Sequence, residues 1–530
     1  MPRRAASRPS RIARARSARC SAGPRPATRW SSPGRVTRPI RSSAPTCCRS
    51  TTARSRGGSC RERGPRATVP PFTVQDIVRA TQGALVAGDL GVPITGVSID
   101  SRSLGVGEAF FAIRGYRLDG HAFLAEAASR GAACLVVHAL HDDVPANVPL
   151  VLVEDTTRAL GRLAAYHRAR FSIPVVAVTG SNGKTTTKEL IAGVLGMRWH
   201  VLKPSGSFNN QWGLPLTLLK LAPDHQALVL EIGTQHPGEI ATLAGLARPT
   251  VAAVTTVAQA HTEFLGSLDG VRAEKVELVK ALAPDGRAVL NADDPHVASM
   301  AREARAPVVT YGRSSGADVR ATGGIVERGP SLAFTLESGG RRVPVTLAFA
   351  GRHNVTNALA AAGVGVALGW PLEEIARGLS QAQPAAGRCV WRDAGGVSIL
   401  DDTYNANPVS VRAALETVAA RRAGSSGRLI VVLGDMLELG AIAEEAHQDM
   451  GRAVVAAGAD EFVGVGRFAR LAVDSARAGG LAAAHHATTF EDTVAHLLKG
   501  VAPGDVVLVK GSRGMRMERV VDALVARLAR

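Results

Sequence analysis

From Pro70 onward the chain alternates short apolar runs with stretches compatible with helices. In residues 72–155, ITGVSID, AFFAIRG and CLVVH read as strands, and FLAEAASRG reads as a helix that stops at Gly131. Between about 156 and 386, the runs VVAVTG, ALVLEIG, VAAVTTV and RAVLNADD are apolar, rich in β-branched residues, and each ends on polar ones. Near-continuous apolar strands with polar tips predict a parallel sheet covered on both faces, with its site at the carboxyl edge. From about 387 the pattern repeats in VSILDD, LIVVLGD, EFVGVG and DVVLVKGS. The expectation is an α/β fold in three domains: a small N-terminal α/β domain over 71–155, a central domain with a mostly parallel sheet over 156–386, and a smaller Rossmann-like α/β domain over 387–530. A length of 530 residues agrees, being too great for one hydrophobic core.

Charge changes the picture only once it is located. The formal net charge of +18 suggests nucleic acid, yet residues 1–70 hold 18 Arg, no Lys and one acid, Glu62, which leaves 45 basic against 44 acidic side chains in the rest. The body is therefore nearly neutral and offers no basic face, and the tail has no pattern of aromatics to stack on bases, so nucleic acid is not an expected partner. Residues 1–70 are rich in Arg, Ser and Pro and are expected to be disordered. They suit either a transit peptide or an over-extended start, with the second preferred. Cys20, Cys47, Cys48 and Cys60 lie there without zinc spacing, and Cys134 and Cys389 remain for the body, so the expectation is a reducing compartment and no disulfide framework. No apolar run is long enough to span a membrane.

The stretch VVAVTGSNGKTTTKE, residues 175–189, carries the strongest chemical signal. Strand, glycine turn and helix follow in order, as in a P-loop, although Val178 stands where the usual first glycine would be. Gly180, Ser181, Asn182 and Gly183 can bring backbone N–H groups to a phosphate. Lys184 supplies a mobile cation, and the hydroxyl of Thr185, with Thr186 beside it, can meet a magnesium ion at a helix N-terminus. The competing reading is an ordinary strand-to-helix turn. Other polar residues gather at strand ends: Glu231, His261, Asn291 to Asp294, Asp402, Asp435 and Lys510 to Arg513. Asp100-Ser101-Arg102 and Asp119-Gly120-His121 read equally well as turns, Lys275 as one lysine on a solvated helix face, and Asn354 as a helix cap.

Taken together and in order, GSNGKTTTKE, SFNNQWGLPLTLL, EIGTQHPGEI, AHTEFLGS, NADD, GRHNVTNALAAA, DDTYNANPVS, LGDMLELG and VLVKGSRGMRME resemble the Mur ligase family over about residues 72–528. That family's phosphate loop is V-T-G-[ST]-x-G-K-[ST], so Val178 is ordinary in it. DDTYNANPVS and GDMLELG resemble the branch that adds D-alanyl-D-alanine, where a diaminopimelate- or lysine-adding relative would carry an Asp-Tyr-Ala-His-type stretch. Folylpolyglutamate synthase lacks the leading domain with its DSR and DGH clusters.

The resemblance implies a central P-loop ATPase domain and ATP-dependent, ADP-forming ligation of D-alanyl-D-alanine to UDP-N-acetylmuramoyl-tripeptide through an acyl phosphate, in cytoplasmic peptidoglycan synthesis, by a monomer. It further implies ATP and two Mg2+ ions. Lys184 would reach the β- and γ-phosphates, Thr185 and Glu231 would hold one magnesium, and His261 with a carbamylated Lys275 would hold the second. Asn354 and Asn357 would hold the base, Arg388 and Asp402 would reach ATP from the C-terminal domain, and hinge closure would complete the site. Ser101, Arg102, Asp119 and His121 would hold the uridine end of the substrate. Asn209 and Asn210, and on the C-terminal side Tyr404, Asn405 and Asn407, would lie near the peptides. One departure is His261-Thr262-Glu263-Phe264-Leu265-Gly266-Ser267, where the family's aromatic is displaced by one position; a packing difference is expected. A sister ligase adding another amino acid and a non-catalytic Mur-like binding protein remain as alternatives, although the latter would be expected to have lost Lys184, Glu231, His261 or Lys275.

Overall fold

The strand Val175–Thr179 is entirely buried and lies inside a nine-stranded sheet, which explains its uninterrupted apolar sequence. The computed structural model describes residues 71–115, 117–140, 147–259 and 262–529. The Arg-rich segment 1–70, with its four cysteines, and His261 lie outside the described residues. Across the central sheet the strands run Arg341–Leu347, Ser331–Ser338, Val319–Arg328, Val308–Gly312, Arg287–Asn291, Val251–Val254, Val175–Thr179, Ala227–Glu231 and Val201–Leu202. All neighbours pair in parallel from Val319–Arg328 to Val201–Leu202, and the first three strands form an antiparallel meander. The register sets Glu231 opposite Val178 and Val254 opposite Thr179, so the carboxyl ends of three strands meet at the glycine loop.

Two further sheets complete the three-domain α/β architecture that the apolar runs predict. The N-terminal sheet has five strands, ordered Ala84–Ala87, Leu150–Leu152, Cys134–Val137, Ala109–Phe111 and Val97–Ser98. ITGVSID is not one strand, because Ile94 pairs with Phe72 in a two-stranded ribbon while Val97 pairs with Ala109 in the five-stranded sheet, so the chain turns at Thr95-Gly96. The C-terminal sheet has six strands, ordered Val390–Ala394, Val397–Asp402, Val506–Lys510, Leu429–Gly434, Glu461–Val465 and Ala484–Ala487, parallel except for the first. Asp402 and Lys510 are register partners at its carboxyl edge.

Residues 68–530 form one compact unit. The helix Lys184–Leu195 packs against the Ala-rich helix His353–Ala367 and against Leu372–Gln381, covering one face of the central sheet with small side chains. Among the described residues, no helix is long and apolar enough to cross a membrane.

Candidate active site

Gly180 and Gly183 allow the loop after Val175–Thr179 to fold over itself. Their φ angles are +149° and +80°, which disfavour any side chain, and a Cβ at Gly180 would lie 1.8 Å from Thr255 Oγ1. Ser181 N–H donates to Thr256 O at 2.8 Å and Asn182 N–H to Thr256 Oγ1 at 3.1 Å, tying the loop to the neighbouring strand end. Gly183 precedes the helix Lys184–Leu195 with no side-chain cap, which leaves its first N–H groups for a ligand. The Lys184 ammonium donates back to Gly180 O at 2.7 Å. Burial pushes its pKa down, the Glu231 carboxylate opposes that, and the Arg388 guanidinium adds to it.

Beside the loop, the Thr185 hydroxyl donates to Glu231 Oε2 at 2.8 Å and lies 3.1 Å from Ser207 Oγ, while Asn209 Nδ2 donates to Glu231 Oε1 at 2.7 Å. Glu231 is 1% exposed. Hydroxyl, carboxylate and amide oxygens are hard donors, a set that fits Mg2+ and would suit a thiophilic ion poorly. The sequence reading missed Ser207 and the residue that places it. Lys188, fully buried, donates to Pro204 O at 3.1 Å and Gly206 O at 2.8 Å and so pins the 204–206 turn against the helix. Its spacing from Lys184, one turn further along the same helix, was the available signal. Asn210 Oδ1 accepts from Trp212 and Gly213 N–H and fixes the turn into the helix Gly213–Leu218.

The C-terminal sheet edge faces this cluster. Arg388 Nη2 donates to Thr185 Oγ1 at 3.0 Å, and its guanidinium carbon lies 4.0 Å from the centre of the Tyr404 ring, with Arg513 at 5.3 Å from the same ring. Asn407 Nδ2 donates to Asn182 Oδ1 at 2.7 Å, a direct link to the phosphate loop, while Asn407 also caps the helix Pro408–Arg422. Asp402 accepts from Lys510 Nζ at 2.5 Å, and the same ammonium donates to Asn405 O at 2.8 Å. Lys510, only 2% exposed, was read from the sequence as part of a strand-end cluster but given no role. Two buried polar atoms here, Arg388 Nε and Asn182 Nδ2, have no hydrogen-bond partner. Native interiors rarely tolerate this, and both flank a cleft of about 870 Å3.

That cleft is lined by Ser181 to Thr186, Asn209, Asn210, Glu231, Asn354, Asn357, Arg388, Asp402, Tyr404, Asn405 and Asn407, so most of the expected ATP- and peptide-contacting residues converge. Asn354 is no helix cap: it is the second residue of the helix His353–Ala367, and its amide donates to Ala350 O at 2.7 Å. Asn357 Nδ2 donates to Asn354 Oδ1 at 2.7 Å. Lys275 is not on a solvated face. It is 2% exposed on the helix Leu268–Lys280, and burial, reinforced by the Lys184 charge and opposed by Glu274, lowers its pKa to about 7. Neighbouring Glu274 accepts from Gly238 and Ile240 N–H, both at 2.7 Å, and so fixes the start of the helix Glu239–Ala247. Leu265 is buried, and Phe264 is exposed with its ring edge-on to His236.

Ser101, Arg102, Asp119 and His121 do not line the cleft; they sit in two short turns of the N-terminal sheet. The turn geometry is present in both, with Asp100 accepting from Arg102 N–H and Asp119 from His121 N–H. Ser101 Oγ donates to Glu126 at 2.9 Å, and His121 Nε2 accepts from His138 N–H at 3.2 Å. Arg102 pairs with Asp100 and is largely exposed.

A glycine phosphate loop, a hard-oxygen cluster and an opposing arginine, held on facing carboxyl edges of two α/β sheets, define a nucleotide-using enzyme of the split-site kind. Family models agree in all three regions: "Mur ligase family, catalytic domain" matches residues 93–168, "Mur ligase middle domain" 178–365, and "Mur ligase, glutamate ligase domain" 387–513. The chain belongs to the Mur ligase family. It is 36% identical over 457 residues to the UDP-N-acetylmuramoyl-tripeptide–D-alanyl-D-alanine ligase of Escherichia coli strain K12, covering 85% of this chain and 98% of that one. It is similar in structure to MurF from Acinetobacter baumannii, with a TM-score of 0.78 at 34% identity, covering 86% of this chain and 99% of that one. It is also similar to MurF from Thermotoga maritima in complex with ADP, with a TM-score of 0.72 at 29% identity, covering 82% and 97%.

Gly183→Ala tests the loop. A methyl group at φ +80° would come 2.2 Å from Asn357 Oδ1. With the strain of the left-handed backbone alone costing about 1–2 kcal/mol, ATP affinity should fall by roughly tenfold or more in a titration with a fluorescent ATP analogue; unchanged affinity would show that the loop does not hold the phosphates.

Proposed function

We propose that this chain uses ATP to join the amine of D-alanyl-D-alanine to the terminal carboxylate of UDP-N-acetylmuramoyl-tripeptide, the two substrates that its relatives' names give for them. The observation that carries the reading is the cleft in which Arg388 of one sheet edge meets Thr185 and Glu231 of the other. A carboxylate is a poor acylating agent, so its oxygen first attacks the γ-phosphorus, giving an acyl phosphate and ADP. The dipeptide amine then attacks the acyl carbon, and the tetrahedral intermediate collapses with release of inorganic phosphate.

Such a transfer needs positioning and charge neutralisation more than covalent help from the protein. Lys184, now curled onto Gly180 O, swings to the β- and γ-phosphates. Thr185 and Glu231, flanked by Ser207 and Asn209, hold magnesium, which when bound shields the phosphate oxygens. Arg388, already stacked on Tyr404, turns its unpartnered Nε toward the transferring phosphoryl group. Asn354 and Asn357 meet the adenine side, Asp402 and Lys510 the nucleotide's outer edge, and Asn210, Tyr404, Asn405 and Asn407 the incoming dipeptide. Ser101, Arg102, Asp119 and His121 take the uridine nucleotide end, His261 joins a second magnesium, and the chain works as a monomer. The three domains divide at about 155 and 386. With ATP and a nucleotide-linked peptide as substrates, the reaction belongs in the cytoplasm.

Once carbamylated, Lys275 would supply the further anion. As a buried ammonium it would repel a second cation. As a neutral amine it attacks CO2, forming a carbamate and releasing a proton. Its lowered pKa fixes the sign: above about 7 the amine is mostly free and the carbamate forms, and below it protonation removes the nucleophile. A carbamate signal from 13C-bicarbonate should therefore be present at pH 8.5, fade toward pH 6, and be missing in Lys275→Ala; a signal insensitive to both would overturn the assignment.

The overall reading is tested by ADP release from purified protein given UDP-N-acetylmuramoyl-tripeptide. Release should require D-alanyl-D-alanine and should not respond to diaminopimelate. Response to diaminopimelate alone would make the chain a sister ligase, and no release with either amine would make it a binding protein.

A further inference from the structure

At the opposite side of the C-terminal sheet, three metal-ligating side chains converge from three separate elements. Glu461 opens the strand Glu461–Val465, His485 lies on the edge strand Ala484–Ala487, and His496 projects from the helix Phe490–Gly500. Glu461 begins its strand, whereas Asp402 and Lys510 end theirs, so in this parallel sheet the cluster sits toward the amino edge, away from the cleft. His496 Nε2 and Glu461 Oε1 are 2.7 Å apart, the two imidazole rings are 4.3 Å apart centre to centre, and one ligand atom from each residue falls within 4.8 Å of the other two. Arg428 holds the second carboxylate oxygen of Glu461 at 3.2 Å, which orients the first toward the histidines.

We propose that Glu461, His485 and His496 form a binding site for a divalent transition-metal ion of the zinc class, tying the edge strand and the helix to the sheet. Two imidazoles and one carboxylate suit such an ion, with water in the fourth position, whereas Mg2+ prefers oxygen alone. Ligand atoms about 2.0–2.2 Å from a tetrahedral ion lie roughly 3.4 Å apart, so the pair at 2.7 Å must open slightly and the other separations, all within 4.8 Å, must close by no more than about 1.4 Å. Side-chain rotation supplies both. The nearby Arg428 charge weakens cation binding and argues for a modest affinity. A second trio, His200, Asp224 and His225, is a poorer candidate, because His225 Nδ1 already accepts the Ala222 N–H at 3.0 Å and Asp224 is largely exposed.

The test uses the full chain in excess Mg2+ titrated with Co2+, followed by visible absorption, and with Zn2+, followed by a chelator dye. Wild type should bind one more equivalent than His485→Ala/His496→Ala, with d–d bands of low-symmetry Co2+ that the double variant lacks and His200→Ala keeps. Single variants should weaken that equivalent by at least about tenfold, since even loss of an outer-shell partner commonly costs 10–100-fold. Zn2+ should raise the melting temperature of wild type more than that of the double variant. Equal stoichiometry and equal spectra in folded wild type and double variant would overturn the proposal and leave the trio as a hydrogen-bonded cluster. If the double variant fails to fold, His496→Gln decides by the same spectrum.

Discussion

The hydroxyl of Thr185 is the junction on which the site depends. It donates to Glu231 at 2.8 Å and accepts from Arg388 at 3.0 Å, so a helix N-terminus, a strand end of the central sheet and a residue leading into the C-terminal sheet meet at one oxygen. The parallel register that sets Glu231 beside Val178 is what makes the meeting possible. A slip of one residue would turn Glu231 to the other face of its strand and break the junction. Asn209 in the cleft and the buried Lys188 outside its lining help to hold that junction in place, and further polar side chains of the cleft surround it.

Electrostatics give the junction its purpose. Lys184, Lys510, Arg388 and Arg513 line the cleft together with the acids Glu231, Glu239, Asp293, Asp294, Asp402 and Glu438, and Arg388 and Asn182 each keep a buried polar atom without a partner. Burial weakens the hold of Lys184 on its proton, the expected state of a cation awaiting phosphate. Satisfying a polyanion in this place would relieve both the charge repulsion and the two unpartnered atoms. The facing sheet edges explain how one ligand can be gripped from two sides while water is kept out.

Much of the fold was legible because buried parallel strands carry a strong signal: VVAVTG, ALVLEIG, LIVVLGD and DVVLVKGS have near-continuous apolar centres with polar tips and were recognised. The meander from 319 to 347 was not, since strands with one solvated face, such as Val319–Arg328, mix Gly, Arg and Glu among few apolar residues. Pro93–Ile94 and Val97–Ser98 were merged because the sequence cannot show that adjacent residues pair in different sheets. In the site, the glycine loop was readable from the order of strand, turn and helix, although its spacing departs from the usual pattern at Val178. Ser207 and Lys188 were not, because their roles arise from a buried ammonium reaching backbone carbonyls 16 and 18 residues away. Lys275 read from the pattern alone as a solvated lysine, with only the resemblance giving it a role, whereas its helix buries it to 2% exposure beside Glu274 and within reach of the Lys184 charge.

The central claim is that the opposing arginine acts on the phosphoryl group as it moves and does not merely bind nucleotide. Steady-state kinetics of Arg388→Lys test it most directly. Lysine keeps the charge and loses the planar fork, so kcat should fall by on the order of 100-fold or more while the KM for ATP changes only a few-fold. A variant that keeps its kcat, or that loses only ATP affinity, would contradict the account.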